Sequence, residues 1–406
     1  MSNRLGDLAE VYYGKSPNEV LSEGSTVPVI GTGGIYGRAS RSLFNGPAVV
    51  VARKGTLGNP LFIDEPFWPV DTTYAVLAKP GVDTKWLYYS LAAFDLTKLN
   101  EATGVPSISR DWLYKVPLHA TDFEMQRRIA EILSTLDEAI AQTEALIAKH
   151  QQIKAGLMHD LFTRGVTSDG HLRPTREQAP DLYKESPLGW IPKQWETRSI
   201  SAIADSLVDG PFGSNLKSEH YVVEPGVRVV RLQNIQEGYY NDRDPVFVSQ
   251  HHADYIRNTV NPRDVLIAAL GDESYPVGRA CCYPDELPPA INKADCFRLR
   301  CHPELAIDTY VMNFLNTAAA RNQVKRYEQG VTRRRTNLGN FRRVIVALPS
   351  LDEQECIIQR LAASGEQIKL GELHIEKLRQ QKRGLMHDLL TGHVRVPEST
   401  DVAVCD

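Results

Sequence analysis

Two runs of basic residues are the parts of this chain whose residue types and spacing suggest chemistry. Residues 24–63 contain no acid and four cations, and residues 321–343 contain eight cations and one acid. The first run carries Arg38, Arg41, Arg53 and Lys54, with Tyr36 on a glycine-rich turn. The second includes Arg333, Arg334 and Arg335, which cannot all share one intramolecular partner. We therefore expect an external anion at these sites; the alternative for the second run is a solvated helix face.

Motifs of the enzymes that act on nucleic acids are missing from the sequence. There is no G-x-x-x-x-G-K-[ST] loop for a nucleoside triphosphate, and the glycines of residues 31–34 have the wrong spacing for a dinucleotide. Residues 59–62, Asn-Pro-Leu-Phe, lack the second proline of an amino-methyltransferase motif. Asp83 and Lys85 lack the upstream carboxylate partner of a metal-dependent nuclease. The sequence thus predicts no catalytic residue.

The cysteines and two repeated histidines have plain structural interpretations. Cys281, Cys282, Cys296 and Cys301 lack the paired C-x-x-C spacing of a zinc site, so we expect buried thiols and no metal. Two histidines, His159 and His387, occupy the same place in two repeated segments. This position favours a packing or subunit contact over catalysis.

An internal duplication indicates which elements must position these residues. Residues 156–161, Gly-Leu-Met-His-Asp-Leu, return as residues 384–389, and upstream matches such as Gln126 with Gln354 keep the same offset of 228. A weaker match joins residues 8–10 to residues 203–205 at an offset of 195. The chain therefore consists of two unequal modules, each followed by a similar connector.

The connectors are predicted to be long helices. Residues 124–160 contain no proline and a single glycine, and their apolar residues recur at alternating three- and four-residue steps. This heptad pattern includes Leu136, Leu146 and Ile153, and Ile140 and Ile147 widen it on one side. The second copy carries Ile368 and Ile375 on a comparable but poorer stripe. A helix of roughly 37 residues is about 55 Å long. We expect the two helices to bury their stripes against each other as an antiparallel pair; the alternative is packing on their own modules.

Each module is predicted to be a mixed globule of short strands and helices, which gives an α+β protein with a pseudo-twofold internal repeat. Strands are expected at residues 48–52, 74–77, 227–232, 264–268 and 344–347, and helical stretches at residues 84–94 and 309–324. Residues 167–192 are rich in glycine, proline and charge, and they predict an exposed linker. The predicted boundaries are 1–121 for the first module, 122–164 for its connector, 165–197 for the linker and entry, 198–349 for the second module, 350–393 for its connector and 394–406 for an acidic tail.

The composition is that of an ordinary globular chain of 406 residues, with 42% hydrophobic residues and a net charge of −4. No stretch reaches the length of apolar residues that a membrane span needs, and no apolar run follows Met1. We therefore expect a cytoplasmic protein with reduced thiols and no membrane contact.

The order of modules and helices, together with four segments, resembles the specificity subunits of type I DNA restriction-modification enzymes. These segments are residues 124–133 (Glu-Met-Gln-Arg-Arg-Ile-Ala-Glu-Ile-Leu), 352–354 (Asp-Glu-Gln), 188–196 (Leu-Gly-Trp-Ile-Pro-Lys-Gln-Trp-Glu) and 209–214 (Asp-Gly-Pro-Phe-Gly-Ser). The resemblance covers nearly all of the chain. One departure is that the first module begins at Leu5 without a Trp-Ile-Pro entry, which leaves the capping of its first strand unexplained.

The resemblance implies a non-catalytic subunit with two target-recognition domains separated by two long antiparallel helices, an intramolecular coiled coil. Each domain would recognise one half of a split, asymmetric site in double-stranded DNA. The implied partners are two methyltransferase subunits, which methylate adenine N6, and a restriction subunit. No cofactor is implied in this chain; S-adenosylmethionine belongs to the methyltransferase partner, and ATP and Mg to the restriction partner. The alternative is a DNA methyltransferase or nuclease with an unrecognised active site, which an S-adenosylmethionine titration would detect.

For a DNA-binding protein of this kind, cations should contact phosphates, and polar or aromatic groups should reach base edges. The loop of residues 210–214 could approach the sugar-phosphate backbone closely, although it could also be an ordinary turn. The expected DNA-binding residues are Tyr36, Arg38, Arg41, Arg53, Lys54, Phe212, Ser214, Lys217, Arg333, Arg334 and Arg335. The expected residues of the helical connector and subunit interface are Leu136, Ile140, Ile147, His159, Ile368, Ile375 and His387.

Overall fold

Two long helices contribute to both units into which the chain divides. The structure is a computed structural model that describes residues 2–211, 216–256 and 258–396. One unit comprises residues 1–147 together with 370–406, and the other comprises residues 148–369. The first long helix therefore begins in the first unit and ends in the second, and the second long helix does the reverse.

The first unit is built from nine short strands and three short helices that precede the long helix. In chain order these elements are β1 (Ser2–Arg4), α1 (Leu5–Leu8), β2 (Ala9–Tyr13), β3 (Val27–Gly31), β4 (Gly34–Ala39), β5 (Ala48–Ala52), β6 (Leu61–Ile63), β7 (Trp68–Pro69), β8 (Thr73–Ala78), α2 (Thr84–Ala93), α3 (Arg110–Tyr114), β9 (Pro117–His119) and α4 (Phe123–Thr163).

A four-stranded antiparallel sheet of order β2-β8-β5-β6 forms the centre of this unit. All five residues of β5 are buried because both faces of the strand are covered. Val49 and Val51 pack in the same cluster as helix α2, whereas Val50 packs with Ile30 of β3 and with Phe67, which precedes β7. That second sheet has the order β4-β3-β7, with β3 and β7 parallel. Because both faces of β5 are covered, apolar residues are favoured at every position of the strand, which accounts for its valine-rich sequence.

The second unit has more elements before its long helix. They are β10 (Tyr183–Ser186), β11 (Gly189–Pro192), β12 (Glu196–Ser199), α5 (Ile200–Ile203), β13 (Ala204–Val208), β14 (Tyr221–Val222), β15 (Val227–Val230), β16 (Phe247–Val248), α6 (Gln250–Ile256), β17 (Thr259–Val260), β18 (Val265–Ala268), β19 (Leu270–Gly271), β20 (Ala280–Cys282), β21 (Ala290–Asn292), β22 (Cys296–Cys301), α7 (Asp308–Leu315), α8 (Ala318–Lys325), β23 (Arg334–Arg335), α9 (Leu338–Phe341), β24 (Ile345–Leu348) and α10 (Leu351–Leu390).

The second unit has the same sheet plan as the first. Its antiparallel sheet β13-β22-β18-β20 matches β2-β8-β5-β6, and the parallel pair β15–β21 of its five-stranded sheet matches β3–β7. Strand β1 pairs antiparallel with β9, and β12 pairs with β24 in the same way. The first strand is therefore anchored by β9 although the sequence has no Trp-Ile-Pro entry before it. The expected α+β class is confirmed.

Two buried glutamines make equivalent contacts in the two units. Gln126 of α4 accepts a hydrogen bond from the backbone N–H of Asp83, which caps α2, at 2.8 Å. Gln354 of α10 accepts one from the backbone N–H of Ile307, which caps α7, at 2.9 Å. Their side-chain amides donate to the carbonyls of Thr121 and of its counterpart Pro349. The matched sequence positions thus serve one local structure in both units.

The long helices are slightly longer than their sequence pattern predicts. Helix α4 has 41 residues and α10 has 40. Soon after each helix comes a glycine in the left-handed conformation, Gly165 with φ +64° and Gly392 with φ +75°. Glycine adopts this conformation without the steric cost that a side chain adds, so it ends helices readily. Over the described residues, no helix has the length and apolar character that crossing a membrane requires.

The helix expected at residues 309–324 is two helices, α7 and α8. Asn316 leaves the first helix and donates its side-chain amide to the carbonyl of Ala280 at 2.8 Å. Thr317 caps the next helix by accepting from the backbone N–H of Ala320. The segment therefore breaks at Asn316, whose side chain bonds to the backbone of β20, and a new helix starts after Thr317.

Residues 167–192, expected to form an exposed linker, are largely exposed, but part of the segment is ordered against the second unit. Strands β10 and β11 form a hairpin, and the side chains of Arg173 and Tyr183 are buried. Both guanidinium NH2 groups of Arg173 donate to the carboxylate of Glu353 on α10, which also accepts from the indole N–H of Trp195 at 3.1 Å. A buried ion pair is stable only when hydrogen bonds satisfy both charged groups, as they do here. The pair attaches Arg173 and its neighbours to the second unit. The acidic tail lies outside the described residues from residue 397 onward.

Candidate nucleic-acid interface

In the first unit, two arginines far apart in sequence meet on one tyrosine. The guanidinium carbons of Arg53 and Arg110 lie 5.2 Å and 5.3 Å from the ring centre of Tyr13. Arg53 follows β5 and Tyr13 ends β2, and one guanidinium NH2 group of Arg53 also donates to the carbonyl of Asp71 at 3.2 Å. The result is an exposed aromatic surface with two cations on it, a combination suited to a phosphate or to the face of a base.

Tyr13 packs against a second tyrosine, Tyr74, which is buried in the core. The hydroxyl of Tyr74 donates to the carbonyl of Ile108 at 3.1 Å, and the Tyr74 ring lies 5.2 Å from that of Tyr13. Burial raises the pKa of Tyr74 to about 12, so its hydroxyl stays protonated as a donor at neutral pH. Tyr13 therefore stands on a rigid support, which is what a contact surface for a stiff polymer needs.

The glycine-rich turn with Tyr36 borders a cavity beside this cluster. The cavity has a volume of about 630 Å³, and its lining includes residues 31–36, Ser16, Asn18 and Asp71. Tyr36 is 67% exposed. The backbone that follows Lys54 lies close by, because a Cβ added at Gly55 would be 3.8 Å from the Thr32 hydroxyl oxygen. The structure thus brings Tyr36, Arg53 and Lys54 to one region.

The other two cations of the first run have different surroundings. The guanidinium carbon of Arg41 lies 5.9 Å from the Trp68 ring centre, and Arg41 lines a second cavity of about 550 Å³ that also includes Ser16 and Asn18. Arg38 instead donates to the carbonyl of Thr26 at 2.7 Å and lines neither cavity. Arg41 is therefore linked to the Tyr36 cavity through Ser16 and Asn18, whereas Arg38, on the same strand as Tyr36, lines neither cavity.

In the second unit, the three adjacent arginines have different environments. Arg334 lies 3.8 Å from the carboxylate of Glu328, and Arg335 lies 2.7 Å from that of Asp295. Arg333 is exposed and forms no ion pair within residues 2–211, 216–256 and 258–396. Strand β23, which contains Arg334 and Arg335, pairs with Leu270 and Gly271. The triplet therefore presents one unpaired cation and two that are partly neutralised.

A pair of carboxylates joins the arginine triplet to the loop that begins at Asp209. The backbone N–H of Asp295 donates to the Asp209 carboxylate at 3.0 Å, and Arg335 pairs with Asp295. Burial raises the pKa of Asp209 to about 6, and the charge of Asp295 adds to this effect. Gly210 passes so close to Lys293 that an added Cβ would lie 2.2 Å from the Lys293 carbonyl oxygen. Only glycine fits at this close approach.

Phe212 and Ser214, two of the residues expected in that loop, lie outside the described residues. Lys217, which follows them, is exposed and lies 3.6 Å from the carboxylate of Glu219. Lys293 donates its ammonium to the Tyr221 hydroxyl at 3.1 Å in the same region. Sequence reasoning missed Lys293, Tyr221 and, in the first unit, Arg110 and Tyr13. Their separation in sequence from the basic runs gave no local signal.

Four thiols of the second unit lie in apolar surroundings, and the described residues contain no group of three or more side chains suited to a metal ion. Cys281, Cys296 and Cys301 are buried in hydrophobic clusters. Cys282 is partly buried, and burial raises the pKa of its thiol to about 12. A thiol with so high a pKa is a poor nucleophile and a poor metal ligand.

The connector residues differ in their degree of burial along the helices. Ile375 is buried, Leu136, Ile140, Ile147 and Ile368 are half-buried, and the two histidines His159 and His387 are exposed. Within the first unit, Lys382 pairs with Asp137 at 2.5 Å and Arg379 with Glu144 at 2.7 Å, so the two helices run antiparallel there.

The heptad assignment is wrong at Leu146, which is 52% exposed, and at Ile153, which is 50% exposed. In the first unit, Ile147 takes the inward position instead. Its Cγ1 would lie 2.7 Å from a Cβ at Gly371, so the isoleucine fits against a residue without a side chain. The glycine that weakens the second stripe is therefore the space that receives Ile147.

Comparison with known proteins gives a consistent set of relatives. The sequence profile of the type I restriction modification DNA specificity domain matches residues 1–152. The MjaVIII specificity subunit of Methanocaldococcus jannaschii is 23% identical over 318 residues, which cover 78% of this chain and 71% of that protein. The EcoKI specificity subunit of Escherichia coli K12 is 23% identical over 51% of this chain and 44% of that protein.

Solved structures show the shared fold. The S subunit of a type I restriction-modification system from M. genitalium superposes with a TM-score of 0.61 at 16% identity, covering 98% of this chain and 96% of that one. A chain from a type I R-M system studied for complex assembly and conformational transition gives a TM-score of 0.58 at 16% identity, covering 97% and 98%.

Proposed function

Because this chain belongs to the specificity subunits of type I restriction-modification systems, which are non-catalytic DNA-recognition subunits, we propose that it recognises a bipartite, asymmetric site in double-stranded DNA. Each unit would recognise one half-site, and the bases between the half-sites would not be contacted. The family assignment leaves no support for the alternative of an enzyme with its own active site.

The observation that carries this proposal is the repetition of one sheet plan with two different cationic surfaces. The first unit presents Arg53 and Arg110 around Tyr13, whereas the second presents the exposed Arg333 and, two residues later, Arg335, which pairs with Asp295 next to Asp209. Two units with the same sheet plan but different surface residues support the proposal of two recognition modules, each for a different DNA sequence. The cations would contact phosphates, and neighbouring polar and aromatic groups would contact base edges.

In this proposal α4 and α10 form an antiparallel coiled coil along their whole length. The ion pairs in the first unit support that direction, as does the contact of Lys154 with the position of Gly365 in the second unit. The coiled coil and the adjoining module surfaces would bind two methyltransferase subunits, which methylate adenine N6, and the assembly would bind the restriction subunit. S-adenosylmethionine, ATP and Mg would be bound by these partners.

Exchange of one module tests the bipartite site. Residues 5–120 are replaced by the first module of another specificity subunit, and the methylation pattern is recorded with the methyltransferase present. The proposal predicts a change in one half-site while the other keeps its sequence. A simultaneous change in both half-sites would contradict separate recognition by two modules.

The number of partners is tested separately. Two equivalent connector ends, which carry His159 and His387, support two equivalent partners. Native mass spectrometry at saturating methyltransferase subunit should give a complex of one specificity chain with two partners. A complex that stays at one to one would contradict the scaffolding role and leave the DNA-binding role intact.

A further inference from the structure

A cavity in the first unit has a polar lining that DNA recognition does not explain. Its volume is about 420 Å³, and it lies where α2, β9 and the last turns of α10 meet. Ser90, His119, Arg383 and His387 supply hydrogen-bonding groups, and Phe94 and Leu390 supply apolar surface. This combination could hold a molecule with a polar group and an apolar body.

The polar groups of the cavity are donors without an acidic partner. No carboxylate is among the lining residues, and Arg383 forms no ion pair with any residue that the structure describes. Ser90 is 7% exposed, and its hydroxyl has no hydrogen-bond partner in the described structure. Leaving a buried hydroxyl without a partner costs free energy, which an acceptor in the cavity would offset.

The duplication provides an internal comparison for this cavity. The glutamine contacts align the start of α2 with the start of α7, which places Ser90 opposite Phe314 in the alignment, and the offset of 228 aligns Leu390 with Phe162. In the second unit the rings of Phe162 and Phe314 lie 5.9 Å apart in an edge-to-face contact and are buried. The place that two aromatic rings fill in one unit is thus a cavity in the other.

The same alignment shows that two polar groups of the cavity, His119 and Arg383, are found in the first unit only, whereas His387 has His159 as its counterpart. His119 aligns with Ala347 and Arg383 aligns with Ala155, at the offset of 228. Both replacements are alanines, which can neither bind an anion nor donate through a side chain. Loss of the aromatic rings and gain of a guanidinium and an imidazole occur together around one cavity, which a packing defect alone does not explain.

From these observations we propose that this cavity binds a small organic anion, an oxyanion group attached to an apolar body about the size of one aromatic ring. Arg383 donates to the oxyanion together with Ser90, His119 and His387. The apolar body packs on Phe94 and Leu390, in the place that a phenylalanine ring takes in the second unit. Phosphate monoesters and carboxylates share this chemistry, and the experiment separates them.

Calorimetric titration of the full chain without DNA tests the site, with phenyl phosphate, benzoate, inorganic phosphate and phenol as probes. At least one of the two aromatic anions should bind at least about tenfold more tightly than inorganic phosphate or phenol, since only these probes satisfy both parts of the cavity. The stronger of phenyl phosphate and benzoate identifies the oxyanion class. Absence of saturable binding by both aromatic anions would overturn the proposal.

Two variants and a matched control locate the binding. Arg383→Gln should lower the affinity for the bound probe about tenfold or more, which is the loss expected for one charge-assisted hydrogen bond. Ser90→Phe should abolish binding by filling the cavity with the residue that the second unit has. Arg379→Gln removes the same charge one helical turn away, where Arg379 pairs with Glu144, and should change the affinity less than twofold.

An equal loss in Arg379→Gln and Arg383→Gln would overturn the assignment, since the effect would then be one of net charge. If Ser90→Phe does not fold, the comparison of these two exposed arginines still decides the outcome. DNA affinity of Arg383→Gln should equal that of the unaltered chain. A failure of the proposed DNA recognition would not change these titrations, and the two proposals are therefore tested independently.

Discussion

At the scale of single residues, the unpaired arginine of the basic triplet should carry most of its contribution to DNA binding. Arg333 has no ion pair among the described residues, whereas Arg334 and Arg335 lie near Glu328 and Asp295. Each phosphate contact that is lost lowers the slope of log affinity against log salt by about 0.9. We expect Arg333→Ala to lower the slope by about this amount and Arg334→Ala to lower it less.

The measurement is fluorescence anisotropy with duplex DNA over a range of salt concentrations. Lys193→Ala is the control, because Lys193 is an exposed cation of the same unit that lies outside the triplet. If Arg333 contacts a guanine edge instead, the variant should lose about 1–3 kcal/mol at one base position. Unchanged affinity, specificity and salt slope in the variant with all three arginines replaced would exclude this turn from the interface.

The half-buried carboxylate of Asp209 should make the stability of the second unit depend on pH. Its pKa is raised from 3.8 to about 6, mainly by burial, so the folded state binds the proton more strongly than the unfolded state. This stabilising contribution is complete below pH 3.8 and is lost as the pH rises through about 6. Asp209→Asn should therefore stabilise the unit by about 1 kcal/mol at pH 7.5, a figure reduced for partial exposure of the site.

Urea unfolding at pH 7.5 and near pH 4 measures this effect, and the advantage of Asp209→Asn should disappear at the lower pH. Glu185→Gln, at an exposed position of β10, should change stability little at either pH. A variant equally stabilised at both values would show that the carboxylate charge is not the cause.

Much of what makes the candidate interface could not be predicted residue by residue. The charge of the basic runs is visible in the sequence, and so Arg53 and Arg333 could be found. Arg110 is 57 positions from Arg53, and only the fold places both on Tyr13. In the same way, the local charge count includes Glu328 but misses Asp295 as a partner, because Asp295 is far from Arg335 in sequence.

At the scale of elements, the buried glutamines at the start of the long helices should stabilise the units. Gln354→Ala leaves the Ile307 N–H and the Pro349 carbonyl without their side-chain partner. Since an unsatisfied buried group costs about 1–3 kcal/mol, we expect a loss of about 2 kcal/mol in the unfolding free energy of the second unit. Gln126→Ala should have a similar effect on the first unit.

Chemical denaturation followed by circular dichroism gives these values. Gln359→Ala is the matched control on α10, since Gln359 is exposed and its side-chain amide donates to the exposed Glu355 one turn away, and it should cost less than about 0.5 kcal/mol. If Gln354→Ala lost no more stability than the control, other groups would have to bond the backbone N–H of Ile307 that caps α7.

Elements with a regular pattern were predictable, and elements defined by tertiary contacts were not. Helix α4 has no proline and a steady apolar repeat, so its extent follows closely from the sequence. The choice of Ile147 over Leu146 for the inward position depends on Gly371 of the other helix, which no periodicity in α4 contains. The order of residues 167–192 likewise depends on Glu353, about 180 residues from Arg173.

At the scale of the whole molecule, charge is local and nearly balanced overall. A net charge of −4 gives no general attraction to DNA, so the proposed binding depends on local clusters such as those around Tyr13 and Arg333. Two separate clusters on one chain fit a proposed site with two half-sites and a spacer that is not contacted. The separation of the two modules would then fix the spacer length, and we propose that the long helices set this separation.

If the helices act as a ruler, the spacer length should follow helix length. Helices of 41 and 40 residues are about 60 Å long, which corresponds to roughly 18 base pairs at ~3.4 Å each. Insertion of four residues beside Ala145, and of four beside His374, adds about one turn or ~6 Å to each helix. His374 is the position opposite Ala145 in the register of the Lys382–Asp137 pair, so the antiparallel contacts should be kept.

We expect the doubly extended chain to prefer a spacer longer by one or two base pairs, with both half-sites unchanged. Methylation profiling with the methyltransferase subunit, on a library of sites with randomised spacers, measures the preference directly. A chain extended beside Ala145 alone is the control for register: its helices become unequal, and it should lose activity or spacer preference instead of shifting it. Retention of the old spacer by a doubly extended chain with increased helix content would exclude the ruler. The methyltransferase subunits would then have to set the module separation.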